Sequence, residues 1–388
     1  MGIFRQRKRV QLEGGGDTAY PWYSPKFWHG MGAVTWLGLL AENRAFVSPS
    51  RLRILLTVSA LCGFNSFGRL ITDWLYHQKI SSTKLPSDPI FIIGHWRSGT
   101  TLLHELMMLD ERFTTPNTYQ CFAPGHFLVT ESFFHQFGGW LLPNRRPIDN
   151  VKAGWDRPQE DEFALMNLGA PSPYRRIAFP HTSSVKPEAL DITKLNQRDL
   201  DRWKETLYSF LVRLSINDNR RQVLKSPTHT ARIKTLLEMF PRAKFIHISR
   251  TPYAIFPSTR RLWQALHATQ SLQQKPDPRL DSYILSCFRE MQTAFDRDKS
   301  TIPAEQYCSI RYEDLVENTV QCMRKVYNEL ALDNFENMEL ALKAQEHELK
   351  NYQTNTYKLN PQLETLITSE FRKYFKCNGY ESKSSHTV

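Results

Sequence analysis

The stretch PIFIIGHWRSGTTLLHELM, residues 89–107, decides how this chain is read. Four consecutive apolar residues at 90–93 suit a strand buried on both faces. Gly94 opens a loop that runs to Gly99, and the apolar spacing after Thr100 is helical. A strand feeding a glycine-bounded loop into a helix presents backbone N–H groups and the positive end of a helix dipole to an anion. The two glycines have the separation of a triphosphate-binding loop, yet Thr100 stands where that loop places its lysine. The missing lysine serves β- and γ-phosphates, so the loop is not that of an ATPase or GTPase. Arg97 lies inside it instead, where a guanidinium can grip one tetrahedral anionic group. Thr100 and Thr101 add hydroxyls.

Outward from this loop the same alternation recurs. QVLKS (222–226), AKFIHISR (243–250) and YCSIRYEDL (307–315) are short apolar runs, each leading toward a helical pattern, the second through a proline-bearing loop. Strands alternating with helices predict an α/β fold, a P-loop-like parallel sheet flanked by helices. Ligands of such sheets bind at the carboxyl ends of strands. There this sequence places Arg97 and Ser98, Lys225 and Ser226, Ser249 and Arg250, and Arg311 and Tyr312. Residues 110–220 break the rhythm with turns and aromatics (NTYQCFAPGHF, LLPNRRPIDN, GWDRPQEDEF), an irregular helical insertion suited to acceptor recognition.

The first 85 residues read as an N-terminal helical segment ahead of a catalytic domain over 86–388, with STKLPSDP as linker. Two uncharged stretches of 15 residues, 27–41 and 54–68, fall short of the roughly 20 residues a spanning helix needs. Tryptophans at 22, 28, 36 and 74, with arginines at 44, 51, 53 and 69, suit helices lying in a membrane interface. Helices packed on the catalytic domain fit the same residues. With 41% apolar residues among 388, the chain can bury a full core, and its net charge of +11 favours an anionic ligand or a membrane surface. No basic tract interleaved with aromatics follows residue 10, so nucleic acid is not an expected partner. Six scattered cysteines without a CxxC pair point to a reducing compartment, and no His, Asp or Glu cluster has metal spacing. The expected location is cytoplasmic, peripheral on the inner face of a membrane if the helices are interfacial.

GHWRSGTTLLHELM resembles the phosphosulfate-binding loop of sulfotransferases, a basic residue followed by Ser-Gly-Thr-Thr. These enzymes take sulfate from 3′-phosphoadenosine 5′-phosphosulfate (PAPS), a donor with no γ-phosphate. The resemblance implies a later strand-ending arginine with a serine eight positions on, holding the 3′-phosphate; Arg250 and Ser258 have that spacing. It also implies a tyrosine near the adenine, matched by Tyr312 of RYEDL. Lys225 of LKSPTHTARI is similar to a lysine near the transferring group in glycan-modifying and tyrosyl-protein sulfotransferases. Arg97 replaces the lysine of the cytosolic small-molecule branch, and that branch's glycine-rich C-terminal loop is replaced by FRKYFKCNGY. The chain therefore resembles the bacterial and Golgi carbohydrate and tyrosyl-protein branch.

Sulfuryl transfer needs a base for the acceptor hydroxyl, cations for the moving group and alignment of the reacting atoms. Arg97 and Lys225 are the cations, with the backbone of Ser98, Gly99, Thr100 and Thr101 around the donor phosphate. Glu160, Asp161 and Glu162 follow Pro158, with Glu160 read as lying in the first helical turn and as the base; His104 and His126 are its competitors. Rival readings are a P-loop kinase-like phosphotransferase, which would need a loop lysine and a magnesium-binding aspartate, and a non-catalytic membrane-associated nucleotide-binding protein. No metal is expected. The acceptor is a hydroxyl-bearing carbohydrate, lipid or protein.

Overall fold

The computed structural model describes residues 23–142, 154–344 and 359–381. Trp22, the basic N-terminal tract and most of LLPNRRPIDN lie outside the described residues. Five strands form one parallel sheet in the order β2-β3-β1-β4-β5: β1 Ile90–Ile93, β2 Phe113–Thr114, β3 Arg221–Lys225, β4 Lys244–Ser249 and β5 Tyr307–Arg311. Ile90 is in register with Val223 on one side and Lys244 on the other. The apolar runs divide by alternation. Phe91, Ile93, Leu224 and Phe245 pack into one hydrophobic layer, while Ile90, Ile92, Val223, Ile246 and Ile248 pack into the other. Both faces are covered, as unbroken apolar strands require.

Before the sheet come α1 (Ala33–Glu42) and α2 (Leu52–Ser82), and α3 (Thr100–Met107) follows the β1 loop. Between β2 and β3 run α4 (Thr118–Phe122), α5 (Phe127–Phe137), α6 (Asp161–Asn167), α7 (Arg175–Ala178) and α8 (Gln197–Asn217). After β3 comes α9 (Ile233–Met239), and α10 (Pro252–Gln270) and α11 (Leu280–Asp298) lie between β4 and β5. The chain continues through α12 (Tyr312–Glu317), α13 (Thr319–Glu329), α14 (Phe335–Ala344), α15 (Pro361–Glu370) and α16 (Arg372–Cys377).

Three sequence expectations change. The insertion contains a two-residue edge strand, β2, too short to leave a periodic signal. The proline-bearing loop after β4 is already helix, because Pro252 sits in the first turn, where its missing N–H would have no intrahelical partner. The uncharged stretch 54–68 lies largely in the first half of the 31-residue α2, which is long and apolar enough, by length and composition, to cross a membrane. Trp28 and Trp36 are fully buried in the same hydrophobic layer as Phe91 and are not interfacial, whereas Trp74 is 79% exposed. Trp28 also donates from Nε1 to the Gln270 carbonyl at 2.6 Å, tying the N-terminal segment to α10.

Candidate active site

The loop after β1 is held from three sides. A Cβ on Gly94 would lie 2.4 Å from the Ile248 carbonyl oxygen, so only glycine lets the loop cross β4 there. Thr230 Oγ1 accepts from Gly94 N–H at 2.8 Å and donates to its carbonyl at 3.1 Å, tethering the loop to the segment after β3. Gly99 has φ +103°, and a Cβ there would meet Tyr312 Cδ2 at 2.2 Å. Tyr312, the first residue of α12, therefore lies directly against the loop. Gly99 also caps α3 without any side-chain cap, so the first-turn N–H groups at Thr100 and Thr101 are left for an anion.

Arg97 adopts φ +67°, a left-handed conformation that costs an L-residue about 1–2 kcal/mol. Two hydrogen bonds fix it. Arg250 Nη1 donates to the Arg97 carbonyl at 3.1 Å, and Arg97 Nε donates to Ser258 Oγ at 2.9 Å. The Arg250 guanidinium also stacks 4.1 Å over the Tyr312 ring. Arg97, Gly99, Thr100, Thr101, Arg250 and Tyr312 all line one cavity, and Lys225 and Glu160 line it too. Ser258 stands behind Arg97, buried. Ser98 presents nothing to the cavity: its N–H donates to the His95 carbonyl at 3.1 Å, and its hydroxyl is fully buried without a hydrogen-bond partner among the described residues.

The three consecutive acids after Pro158 separate. Glu160 is the N-cap of α6, one residue ahead of the first turn in which the sequence reading places it. Its carboxylate accepts from Lys225 Nζ at 2.8 Å and from the Tyr174 hydroxyl at 2.6 Å. Asp161 and Glu162 point away from the cavity into the protein. Asp161 accepts from Ser226 Oγ at 2.8 Å and from His229 Nε2 at 2.7 Å; Glu162 accepts from Arg232 Nη1 at 2.5 Å and Thr228 Oγ1 at 3.0 Å. Burial alone would raise the Asp161 carboxyl, but His229, Ser226 and Arg232 outweigh it and hold it below its ordinary range. These two acids anchor α6 to the chain after β3, the strand that ends in Lys225. Glu160 and Lys225 meet as a result.

The two histidine candidates do not line the cavity. His104 is buried with Nε2 2.7 Å from Thr115 Oγ1, and burial, aided by the Lys225 charge, pushes it down to about 3. His126 lies between Thr130 Oγ1 and Asn65 Oδ1, lowered by burial to about 4. Both are neutral structural side chains.

Sequence reasoning missed several residues. Tyr174 is one: Trp96 Nε1 donates to its hydroxyl at 2.9 Å, and burial next to the Glu160 charge keeps the phenol protonated as a donor. Sequence distance hides it, since only folding sets Trp96, Glu160 and Tyr174 side by side. The FRKYFKCNGY segment, read for its basic residues alone, contributes aromatics. Tyr374 accepts from Arg250 N–H at 3.2 Å, and Tyr380 donates to Glu313 Oε2 at 2.8 Å, while Glu313 Oε1 accepts from Thr251 N–H at 3.1 Å. Beyond Glu160 the cavity is walled mainly by Phe27, Phe122, Phe163, Ile177, Trp263 and Leu266, with Arg157, Gln159 and Gln270 among its polar lining. Among the described residues no group of His, Cys, Asp and Glu is arranged to hold a metal ion.

A glycine-bounded loop with free helix N–H groups, joined to a Lys–Glu pair at the head of a parallel sheet, is arranged as a group-transfer site requires, and the chain belongs to the sulfotransferase family, whose model matches residues 89–337. It is 36% identical over 360 residues, 93% of this chain and 92% of the relative, to the omega-hydroxy-beta-dihydromenaquinone-9 sulfotransferase Stf3 of Mycobacterium bovis. The Mycobacterium tuberculosis protein of the same description matches to the same extent. Two solved structures share the fold. Sulfotransferase STF9 from Mycobacterium avium superposes with a TM-score of 0.68 at 16% identity, over 92% of this chain and 94% of that one. Sulfotransferase STF1 from Mycobacterium tuberculosis gives 0.60 at 14% identity, over 90% and 94%. The protein is a sulfotransferase with the P-loop-like α/β fold.

Proposed function

We propose that this sulfotransferase uses PAPS as donor and sulfates the hydroxyl of an apolar, lipid-type alcohol. The single observation that carries the reading is the Glu160–Lys225 pair, set where the anion-binding loop meets an aromatic, apolar cavity. The donor fits the residues present. Uncapped N–H groups at Thr100 and Thr101 suit its 5′-phosphate and Arg250 suits its 3′-phosphate, while Ser258 holds Arg97 from behind and Tyr312, under the Arg250 guanidinium, lines the same wall. Bound there, the donor supplies a sulfuryl group whose bond to the phosphate-bridging oxygen breaks as the acceptor oxygen bonds to sulfur.

The chain's residues do the rest. Glu160 accepts two hydrogen bonds, and a carboxylate has lone pairs left to take the acceptor's proton. Tyr174 and Lys225 fix the carboxylate between them. Lys225 and Arg97 place positive charge beside the transferring group in a largely desolvated cavity, where charge acts most strongly. The phenyl and indole walls exclude water and match an apolar acceptor, in keeping with the menaquinone named for the 36%-identical relatives. Six unpaired cysteines are consistent with a cytoplasmic setting, where such a donor is available.

The test is transfer of labelled sulfate from PAPS to a hydroxylated isoprenoid quinone, beside a monosaccharide and a tyrosyl peptide. Labelling of the isoprenoid alcohol alone supports the proposal. Labelling of sugar or peptide with none on the isoprenoid overturns the acceptor class, and transfer of phosphate from a nucleotide would overturn the donor.

A further inference from the structure

We infer that the outer face of α1, α2 and α5 is a membrane-docking surface on which the enzyme lies to draw its acceptor from the bilayer. The inference rests on the apolar-acceptor reading above for its purpose, though not for its test.

The inner side of α2 buries Ile54, Val58, Cys62, Asn65 and Thr72 against the body. At 100° per residue, Leu56, Phe64, Phe67, Leu70 and Trp74 fall on the opposite side. They are 67, 48, 63, 67 and 79% exposed. The charges of this helix run the other way. Between Ile54 and Tyr76 its ionic residues are Arg69 and Asp73, paired with each other at 3.6 Å, and Asp73 also pairs with Arg213 of α8 at 2.5 Å. Arg69 and Asp73 are themselves 53% and 41% exposed, but they lie to one side of the helix and neutralise each other, so the phenyl, indole and leucyl groups form an outer stripe without charge, the polarity of a helix facing lipid.

Neighbouring elements extend the face. On α5, Val129, Phe133 and Phe137 are exposed at four-residue intervals, with Trp140 just beyond. Val34 and Leu37 of α1 are exposed, as is Phe46 after it. Both helices pack against α2. Cations bracket the apolar band: Arg44 and Arg53 at one end, Lys79 at the other. That pattern suits anionic headgroups around an interfacial helix. Because α2 is held along its length by α1, α5 and α8, it lies flat on the body and does not cross the bilayer, despite its length.

The face is continuous with the cavity. Trp140 leads to Leu142, which lines the cavity, and its ring lies 5.9 Å from that of Tyr23, next to the cavity-lining Ser24 and Pro25. Apolar side chains at Leu142, Phe27 and Phe163 thus line part of the way from that face to Glu160.

The experiment sediments the full chain with vesicles of phosphatidylcholine alone and of phosphatidylcholine mixed with phosphatidylglycerol, with no donor or acceptor present. The protein should pellet with both, more with the anionic mixture, and salt should remove only that increment. The F67E/W74E variant should lose vesicle partitioning by at least about tenfold with its circular dichroism unchanged. R53E/K79E should lose only the anionic increment, which keeps the test meaningful if the first variant misfolds. A wild-type chain that stays in the supernatant with both vesicle types overturns the inference. So does a dimer in sedimentation velocity that F67E/W74E converts to monomer, since the face would then join two copies. Neither outcome touches the sulfotransfer reading, because catalysis is not measured.

Discussion

The two walls of the cavity are built in different ways. The wall that we propose binds the donor comes from continuous motifs: the loop 94–101, Arg250 with Ser258 eight residues on, and Tyr312 at the start of α12. The proposed acceptor wall is assembled from Phe27, Phe122, Phe163, Tyr174 and Trp263, residues scattered over more than half the chain. A phosphate group is gripped by backbone geometry, and backbone geometry needs contiguous residues of fixed type. An apolar pocket needs only the right volume and polarity, which many segments can supply. The wall that demands specific local chemistry is therefore the one a reader can find unaided.

If the walls act separately, variants should split donor effects from acceptor effects. The largest change is expected at the seam. Glu160→Gln keeps the shape and removes the basicity, so turnover should fall by roughly 10²–10⁴ while donor binding stays near normal. Full turnover in this variant, measured with saturating PAPS, would reduce the carboxylate to a partner for Lys225. Next is Arg250→Ala on the donor wall. Loss of a charged hydrogen bond of about 1.5–3 kcal/mol should weaken adenosine 3′,5′-bisphosphate by about 10–150-fold in calorimetry. Adenosine 5′-monophosphate should bind as before. Equal losses for both nucleotides would move Arg250 away from the 3′-phosphate.

A smaller effect is expected behind both walls. His104 and His247 are held down to about 3, and His95 and His267 to about 4, chiefly by burial, against 6.5 when unfolded. Neutral burial contributes stability that is present above pH 6.5 and lost as pH falls toward the folded values. Each such histidine should cost up to about tenfold in the folding constant per pH unit below 6.5. His104→Gln should flatten that slope by up to one proton in denaturant titrations at pH 5–6.5. An unchanged slope would mean that His104 gains its proton without unfolding.

The smallest change belongs to the acceptor wall. Tyr174→Phe deletes one hydrogen bond to Glu160 of about 0.5–1.5 kcal/mol, so turnover should fall about 2–13-fold with donor affinity unaltered. A matching loss of donor affinity would show that the walls are one unit.

The same contrast explains what could be read in advance. Arg97, Lys225, Arg250 and Tyr312 are visible because each lies at or within four residues beyond the carboxyl end of a strand, and parallel strands deliver those ends to one place. Glu160 was visible as one acid of three, but the triplet could not say which acid faces the cavity. That was decided by Ser226, Thr228, His229 and Arg232, some 65 residues away, which claim the other two. Tyr174 and the aromatics at 374 and 380 had no local pattern at all. The length of α2 is hidden because Arg69 and Asp73 interrupt its apolar run, and sequence alone does not show that they pair with each other and with Arg213.

The buried pairs Asp161–His229 and Glu162–Arg232 also bear on how sharply the site is defined. Their four side chains are fully enclosed, so a one-residue slip of α6 would strand buried polar groups in the interior, at a cost of about 3–5 kcal/mol for the broken Glu162–Arg232 ion pair alone. Intermediate placements of Glu160 are thereby removed from the folded population. The pairs work as a keyed joint does in machinery: they add little to the strength of the assembly, but a part that is misaligned cannot be fitted. A folded variant that loosens the joint should readmit those intermediate placements, so turnover per titrated active site should fall.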